Sequence, residues 1–298
     1  MSLTQHEHAV AERIAAREVE LIALVSDLIG FDTTARAAPG EAARDERALQ
    51  TYLARRLVSA GAECDVWEPG PEDVAGTRIA PDGLSFDGRP QLAATFRGAG
   101  SGPSLLLNGH VDVVSPEPRE GWTTDPFRAD LRDGLLYGRG ACDMKGGVGC
   151  MVFAAEVLSE LGVRLAGDLV VRTGDGRGVD GRRRSGSRRT SSRSSGRCAR
   201  GPVGGGRAHA PVVSTLLGAA SDTGLASRIA GLDNWHDGAT FTRLGRTPCV
   251  AFGPHGLKHA RTVDEHVATK SLVGCAQAVA VAAMRFLRRG LAVGKRGA

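Results

Sequence analysis

The chain has 298 residues with a formal net charge of +5, and 42% of its residues are hydrophobic. This length is enough for one large or two ordinary domains with a buried core. We expect neither a membrane span nor a signal peptide, because no apolar run is long enough to cross a bilayer and charged residues interrupt the N-terminal segment. The six cysteines form no Cys-x-x-Cys pair, which favours free thiols and a cytoplasmic location.

Hydrophobic periodicity and turn signals predict an alternation of helices and strands. In chain order they are helices at 8–30 and 43–61, strands near 91–98 and 104–114, a helix at 144–161, a strand at 167–173, and a C-terminal strand and helix. The run Leu105–Leu107 is typical of a strand that is buried on both faces. This alternation predicts an α/β fold.

A basic segment interrupts the pattern. Between Arg172 and Arg207 there are eleven arginines and two aspartates, a local charge of +9, so the rest of the chain sums to −4. The segment is otherwise mostly Gly and Ser, and Val179 and Val203 are its only large apolar residues. Such a composition cannot bury enough surface to offset the entropy of ordering. We therefore expect three parts, namely residues 1–173, a disordered insert at 174–207, and residues 208–298.

Three residues in the middle of the chain are typical of a metal site. His110 and Asp112 lie in the strand predicted at 104–114. Residues two apart in an extended chain point to the same side, so Asp112 can orient the imidazole of His110. Asp143 directly precedes the helix predicted at 144–161, whose free N–H groups favour a carboxylate. One His and two Asp residues at strand ends suit zinc.

These residues lie in segments that resemble the M20 metallopeptidase family, which includes acetylornithine deacetylase, succinyl-diaminopimelate desuccinylase, aminoacylase and carboxypeptidase-type members. The matching segments are NGHVDVV at 108–114, GW…DPF at 121–127 and YGRGACDMKGG at 137–147. The resemblance implies an α/β, three-layer, zinc-exopeptidase-like catalytic domain with a central mixed sheet and two zincs. It implies that His110 binds one zinc, that Asp143 bridges both, and that Asp112 orients His110.

The resemblance stops at Thr173. In the family, the strand that resembles 167–173 leads into a Thr-Asp-Glu-Glu-Ser-Thr-Gly-Ala-Gly-Gly loop, which carries the general-base Glu and a zinc-binding Glu. With suitable codons, residues 174–187 read one nucleotide later encode that same loop. We infer that a frameshift near Thr173 replaced it. A solvated linker and an Arg/Gly-rich nucleic-acid-binding segment are the alternative interpretations of the insert.

The family pattern returns at His209 with an incomplete ligand set. Between Ser187 and His209 there is neither the acidic ligand of the family's Pro-Glu-Pro-like turn nor the lid and dimerisation domain. The family's last zinc-binding His is replaced by Arg261, which stays protonated and cannot bind a metal. His259, two residues away, is the candidate to replace it if the loop shifts, and the alternative is that it is an exposed loop histidine.

Two further residues resemble substrate-side positions of the family. They are His236 and Asp237, in the segment NWHDGATF. A structural role is an equal alternative for both, such as a helix cap for Asp237. The next segment, TPCVAFGPHG at 247–256, resembles a strand that precedes the final metal loop and the closing helix.

The resemblance implies a zinc-dependent hydrolase of amide bonds in N-acyl amino acids or small peptides, with Co2+ as an alternative metal. Because most ligands and the general base are missing, we expect a degenerate enzyme with impaired activity. The missing lid argues against homodimerisation, and we expect no membrane or nucleic-acid partner. The alternative function is that of a non-catalytic remnant, or of a binding protein that uses residues 174–207 for nucleic acid or a partner.

Overall fold

The computed structural model describes residues 2–35, 41–70, 86–100, 102–174, 210–231, 237–243 and 245–288. Its helices are α1 (Gln5–Ala16), α2 (Glu18–Gly30), α3 (Glu46–Ser59), α4 (Lys145–Glu160), α5 (Pro211–Asp222), α6 (Gly238–Arg243) and α7 (Thr269–Arg288). Its strands are β1 (Glu63–Trp67), β2 (Gln91–Phe96), β3 (Leu105–His110), β4 (Asp130–Arg132), β5 (Leu135–Tyr137), β6 (Leu169–Gly174) and β7 (His266–Ala268). Apart from Gly174, the predicted insert 174–207 lies outside the described residues, as does His236.

The main sheet has four described strands in the order β1-β2-β6-β3. β1 pairs with β2 and β2 with β6 in antiparallel fashion, whereas β3 and β6 are parallel. A second, smaller antiparallel sheet has the order β4-β5-β7. The predicted α/β class with a central mixed sheet is therefore confirmed.

The core lies between the main sheet and the helices that cover one of its faces. Gly109 on β3 is close to α4, since a Cβ there would lie 2.9 Å from side-chain atoms of Val148 and Met151. Thr173, the register partner of Gly109 on β6, donates a hydrogen bond to Gln50 on α3. Thus α3 and α4 cover the same face. Further helices pack around α4, and one cluster of fully buried side chains joins them: Ile14, Leu28, Leu53, Phe153 and Met284.

The helix predicted at 8–30 is instead two helices, α1 and α2. The chain leaves helical geometry at Arg17, where φ is −109° and ψ is 28°. α1 packs mainly against α7, whereas α2 packs mainly against α4. Because α1 and α2 pack against different helices, the chain breaks between them at Arg17. The spacing of apolar residues continues through this point, so it did not reveal the break.

The expectation that β3 is buried on both faces is wrong. In the described part of the sheet β3 is an edge strand, and Leu106 is 36% exposed. Leu105 and Leu107 are half-buried against the core. The apolar run Leu105–Leu107 thus belongs to a strand that packs on one face and also lines a cavity.

The strand expected within 247–256 is not formed. These residues have no regular strand in the structure, and the final described strand is β7, which joins the small sheet beside β5. Among the described residues no strand pairs with the outer edge of β3, and residues 247–256 line the cavity beside that edge without joining the sheet.

The closing helix α7 is present as expected. By length and composition it could cross a membrane, contrary to the expectation that no segment could. However, 67% of its apolar window is buried inside the domain, where it contacts α1, α4 and α5. Such packing is that of a core helix.

The different positions of β3 and β6 in the sheet can be tested by truncation. Leu169 on β6 is 1% exposed, so Leu169→Ala should lower the free energy of unfolding by about 2–5 kcal/mol. Leu106→Ala, on the edge strand, should lower it by less than about 1 kcal/mol. Urea unfolding followed by circular dichroism measures both, and equal losses would mean that β3 is buried like β6.

Candidate active site

The end of β3 and the start of α4 bring His110 and Asp143 together. His110 is the last residue of β3, and its Nε2 lies 3.1 Å from Oδ1 of Asp143. Its other ring nitrogen, Nδ1, lies 3.0 Å from the carbonyl oxygen of Asp112 and 3.5 Å from Oδ1 of the same residue. Asp112 is 2% exposed. The three residues predicted to form the site therefore meet, with the imidazole held between two aspartates.

Arg261 completes this cluster. Its Nε and Nη2 atoms each lie 3.0 Å from Oδ2 of Asp143, the oxygen that His110 does not contact. The backbone of Arg261 has a φ of +67°, which is uncommon for a residue with a side chain. A strained conformation of this kind persists only where surrounding contacts hold it. The guanidinium thus occupies the position at which a metal ligand was expected.

His259 lies apart from the cluster. It ends a short 3-10 helix, Leu257–His259, and its ring stacks on the ring of His266 with centroids 4.1 Å apart. Burial and the neighbouring His266 and Lys258 lower the pKa of His259. In the described contacts it is joined to neither His110 nor Asp143.

Glu265 is the residue that sequence reasoning missed. Its Oε1 accepts hydrogen bonds from the backbone N–H groups of Cys142 and Asp143, at 2.9 and 3.1 Å. Its Oε2 accepts from Nη1 of Arg139 at 2.7 Å and from the backbone N–H of Arg261 at 3.2 Å. Glu265 is 1% exposed. The charge pattern of the sequence gives no sign that Glu265 is buried, because a charged residue is usually exposed.

Cys142 packs against the final loop. Its Sγ lies 2.8 Å from the carbonyl oxygen of His266 and 3.2 Å from that of Gly256, and its single S–H can donate to either. Burial and the charges of Glu265 and Asp143 raise the pKa of its thiol to about 12. The five cysteines in the described part of the chain are all unpaired.

Asp237 lies beside the cluster at the start of α6. Its Oδ2 accepts a hydrogen bond from Nδ2 of Asn108 at 3.2 Å, and Oδ1 of Asn108 accepts one from Arg172. Burial raises the pKa of Asp237, against the opposing attraction of His110 and Arg172. Its side chain therefore faces the site and bonds to β3.

The charges of the cluster stabilise one another. Burial disfavours a charged His110, but the hydrogen bond with Asp143 and the charges of Asp112 and Asp143 outweigh it and raise the pKa of His110 to about 9. Burial likewise disfavours a charged Asp143, but His110 and Arg261 outweigh it and lower the pKa of Asp143 to about 2. At neutral pH the site is an imidazolium, a carboxylate and a guanidinium in contact.

This donor set does not fit a divalent metal. Within the described ranges, no group of three or more His, Cys, Asp or Glu side chains is placed to hold a metal ion. One oxygen of Asp143 contacts the imidazole of His110 and the other contacts Arg261. Metal binding requires a neutral imidazole and free carboxylate oxygens, and zinc sites use three or four protein ligands.

A cavity of about 800 Å³ adjoins the cluster. His110, Asp143 and Arg261 line one end of it, and the rest is lined mostly by apolar side chains. This volume is in the range of small-molecule sites.

The M20 resemblance is supported by comparison with known families. A sequence model described as Peptidase family M20/M25/M40 matches residues 106–172. Over this segment the chain is similar to the M20 peptidase family. The segment contains His110, Asp112 and Asp143, and it ends one residue before Thr173.

Curated M20 relatives match the chain in part. The N-formyl-4-amino-5-aminomethyl-2-methylpyrimidine deformylase of Bacillus subtilis (strain 168) is 32% identical over 173 residues, which are 57% of this chain and 36% of the relative. The succinyl-diaminopimelate desuccinylase of Stenotrophomonas maltophilia (strain R551-3) is 45% identical over 112 residues, 38% of this chain and 25% of the relative. The chain thus spans about a quarter to a third of the length of these hydrolases.

Solved structures resemble the chain in fold. A glutaminyl cyclase of Bacteroides thetaiotaomicron bound to N-acetylhistamine has a TM-score of 0.56 at 15% identity, covering 89% of this chain and 96% of the other. A Zn-dependent exopeptidase of Parabacteroides distasonis has a TM-score of 0.53 at 16% identity, covering 88% and 96%. At such identities the likeness shows the fold alone.

The role of Glu265 can be measured by Glu265→Gln. The variant leaves the buried charge of Arg139 without its partner, so the free energy of unfolding should fall by about 3–5 kcal/mol. The matched control is Glu160→Gln, at a partly exposed pair with Arg13 and Arg17, and should cost at most about 1 kcal/mol. Similar losses in urea unfolding would show that Glu265 is no more important than a surface carboxylate.

The charge of His110 predicts a pH dependence. In the folded state the pKa of His110 is raised to about 9. The stabilisation of the fold by its charge is therefore complete below about pH 6.5 and is lost as the pH rises through 9. Buried Lys145, whose pKa burial lowers to about 7, contributes with the opposite sign above that pH. Lys145 is present in both the wild type and the His110→Gln variant, so its contribution cancels in the difference between their unfolding free energies. After dialysis against chelator, the stability advantage of the wild type should shrink between pH 6.5 and 9, and a constant difference would contradict the assignment.

Proposed function

We propose that this chain derives from a zinc-dependent hydrolase of amide bonds in N-acyl amino acids or small peptides, and that its hydrolytic site is impaired. The M20 relatives support the amide-hydrolase origin, since their names describe removal of formyl and succinyl groups. The observation that carries the loss is the contact between the guanidinium of Arg261 and Asp143. An arginine cannot give up its proton to become a ligand, and it repels a metal ion.

The proposal assigns roles residue by residue. In the parent site His110 and Asp143 would bind metal and Asp112 would orient His110, whereas here Asp143 pairs with Arg261 instead. Asp237 faces the cavity and is the remaining candidate on the substrate side. His259 would be a ligand only if the loop at 257–261 moved, because its ring now stacks on His266.

The proposed organisation follows from the same loss. Residues 1–173 and 208–298 would be two parts of one catalytic domain, and 174–207 would be sequence read out of frame. Support comes from the family match, which stops at residue 172. The proposal includes a small-molecule substrate and a cytoplasmic location, and it requires no membrane, nucleic-acid or second-subunit partner.

Metal content and hydrolysis provide the test. After dialysis the purified chain should retain less than one zinc per molecule, because His110 and Asp143 are too few ligands for stable binding. Hydrolysis of N-acetyl and N-succinyl amino acids should not exceed the background rate. Two retained zincs, or metal-dependent turnover that His110→Ala abolishes, would contradict the proposal.

A substitution separates the effect of Arg261 from that of the missing residues. Arg261→His should increase Co2+ binding by at least tenfold, because it removes a cation and adds an imidazole beside Asp143. It should not restore turnover, since the general base of the family is absent. Arg128→His, at an exposed position, is the matched control and should leave Co2+ binding unchanged. Equal binding by both variants would show that Arg261 does not block the site.

A further inference from the structure

Two histidines outside the Asp143 cluster lie ring against ring. His259 ends the 3-10 helix Leu257–His259, and His266 is the first residue of β7. Their ring centroids are 4.1 Å apart, and the angle between the ring planes is 36°. Neither histidine is among the described residues that line the cavity of about 800 Å³. The pair is therefore a feature separate from the candidate active site.

One hydrogen bond fixes the tautomer of His266. Its Nδ1 lies 2.8 Å from the backbone carbonyl oxygen of Asp264. A carbonyl oxygen can only accept, so Nδ1 carries the proton and Nε2 of the neutral ring has a free lone pair. A bond from Nδ1–H to a backbone carbonyl is also the contact that orients histidines which bind a metal ion through Nε2.

His259 offers a second nitrogen beside it. In the described part of the chain, the ring nitrogens of His259 take part in no hydrogen bond or ion pair. Both histidines are partly exposed, so a hydrated ion can reach them from the solvent. Two adjacent imidazoles thus each have a nitrogen that is available as a ligand.

The spacing of the two rings suits a shared metal ion. Metal–imidazole bonds are about 2.1 Å long, so two imidazoles bound at a right angle have their ring centroids about 4.5 Å apart. The observed separation of 4.1 Å is close to that value. The rings must turn about χ2 for both nitrogens to face one ion, and the preference of this torsion is broad in histidine.

The surroundings of the pair select the kind of ion. Two carboxylates lie near it in the described ranges, and both are engaged: Oδ1 of Asp264 accepts hydrogen bonds from Thr123, and Asp130 pairs with Arg132. Two imidazoles without a carboxylate favour Ni2+, Cu2+ or Zn2+ over Mg2+ or Ca2+, which prefer oxygen ligands. Water would complete the coordination, so the ion would exchange more readily than one held by three or four side chains.

We propose that Nε2 of His266 and a ring nitrogen of His259 together bind one exchangeable divalent transition-metal ion. The site needs no movement of the loop at 257–261 and does not depend on hydrolysis, since in the described contacts neither histidine is joined to His110 or Asp143. It agrees with a chain that retains little zinc after dialysis, because two protein ligands release an ion readily.

The test titrates Ni2+ into the full chain, prepared without a histidine tag, in isothermal titration calorimetry. Ni2+ is the probe because it suits imidazole and binds such sites more tightly than Co2+ does. One Ni2+ per chain should bind with a Kd below about 0.1 mM. A large excess of Mg2+ should not displace it, because Mg2+ requires oxygen ligands.

Substitutions locate the ion. His259→Gln and His266→Gln should each weaken Ni2+ binding at least tenfold, and the double variant should bind no more weakly than the weaker single one. The matched control is His255→Gln, at an exposed histidine four residues before His259, which should change binding less than threefold. Circular dichroism shows whether the variants are folded. If His266→Gln is unfolded, His259→Gln decides, because it removes no hydrogen bond in the described part of the chain.

Two results would overturn the proposal. The first is the absence of saturable Ni2+ binding up to about 1 mM. The second is binding that His259→Gln leaves unchanged. If His110→Gln abolished that binding instead, the ion would lie at the Asp143 cluster, and the loss of metal binding there that the proposed function assumes would be contradicted as well. Binding that His259→Gln weakens and His110→Gln does not would support the pair and leave the proposed function unaffected.

Discussion

Glu265 and Arg139 form a buried ion pair that joins two loops far apart in the sequence. Burying two charges is costly unless every bonding position is used. Each of the two carboxylate oxygens of Glu265 accepts two hydrogen bonds. Of these four bonds, one comes from the side chain of Arg139 and three come from backbone N–H groups. Arg139 also lies 4.8 Å from the ring of Trp122 and donates to the carbonyl of Thr262. The loop before α4 and the loop before β7 are held together through this pair.

The contact of Asp143 with Arg261 follows from that constraint. Glu265 binds the backbone of both residues, so their side chains meet across a short distance. Two cations, His110 and Arg261, then share the carboxylate of Asp143, and Asp112 balances the second positive charge. A cluster of this kind is electrically satisfied without a metal ion. The charges of these four side chains therefore balance.

The sequence predicted the centre of the site better than its surroundings. His110 and Asp112 were expected to meet because residues two apart in a strand share a side, and Asp143 was expected before α4 because of the family motif. The break at Arg17 and the edge position of β3 were missed, since both depend on which elements lie alongside. Glu265 was missed for the same reason, because its partner Arg139 is 126 residues away and a charged residue is usually exposed.

Gly146, in the first turn of α4, is also in the site segment, and a Cβ there would lie 2.3 Å from the carbonyl oxygen of Ala141. The absence of a side chain at Gly146 lets the loop with Asp143 fold against the helix. The buried Nζ of Lys145 fixes the same region, because it donates a hydrogen bond to the carbonyl oxygen of Phe31 at 2.6 Å. The residues that shape the site are thus the ones that close the core around it. A side chain introduced at Gly146 would therefore disturb the packing of the core together with the position of Asp143.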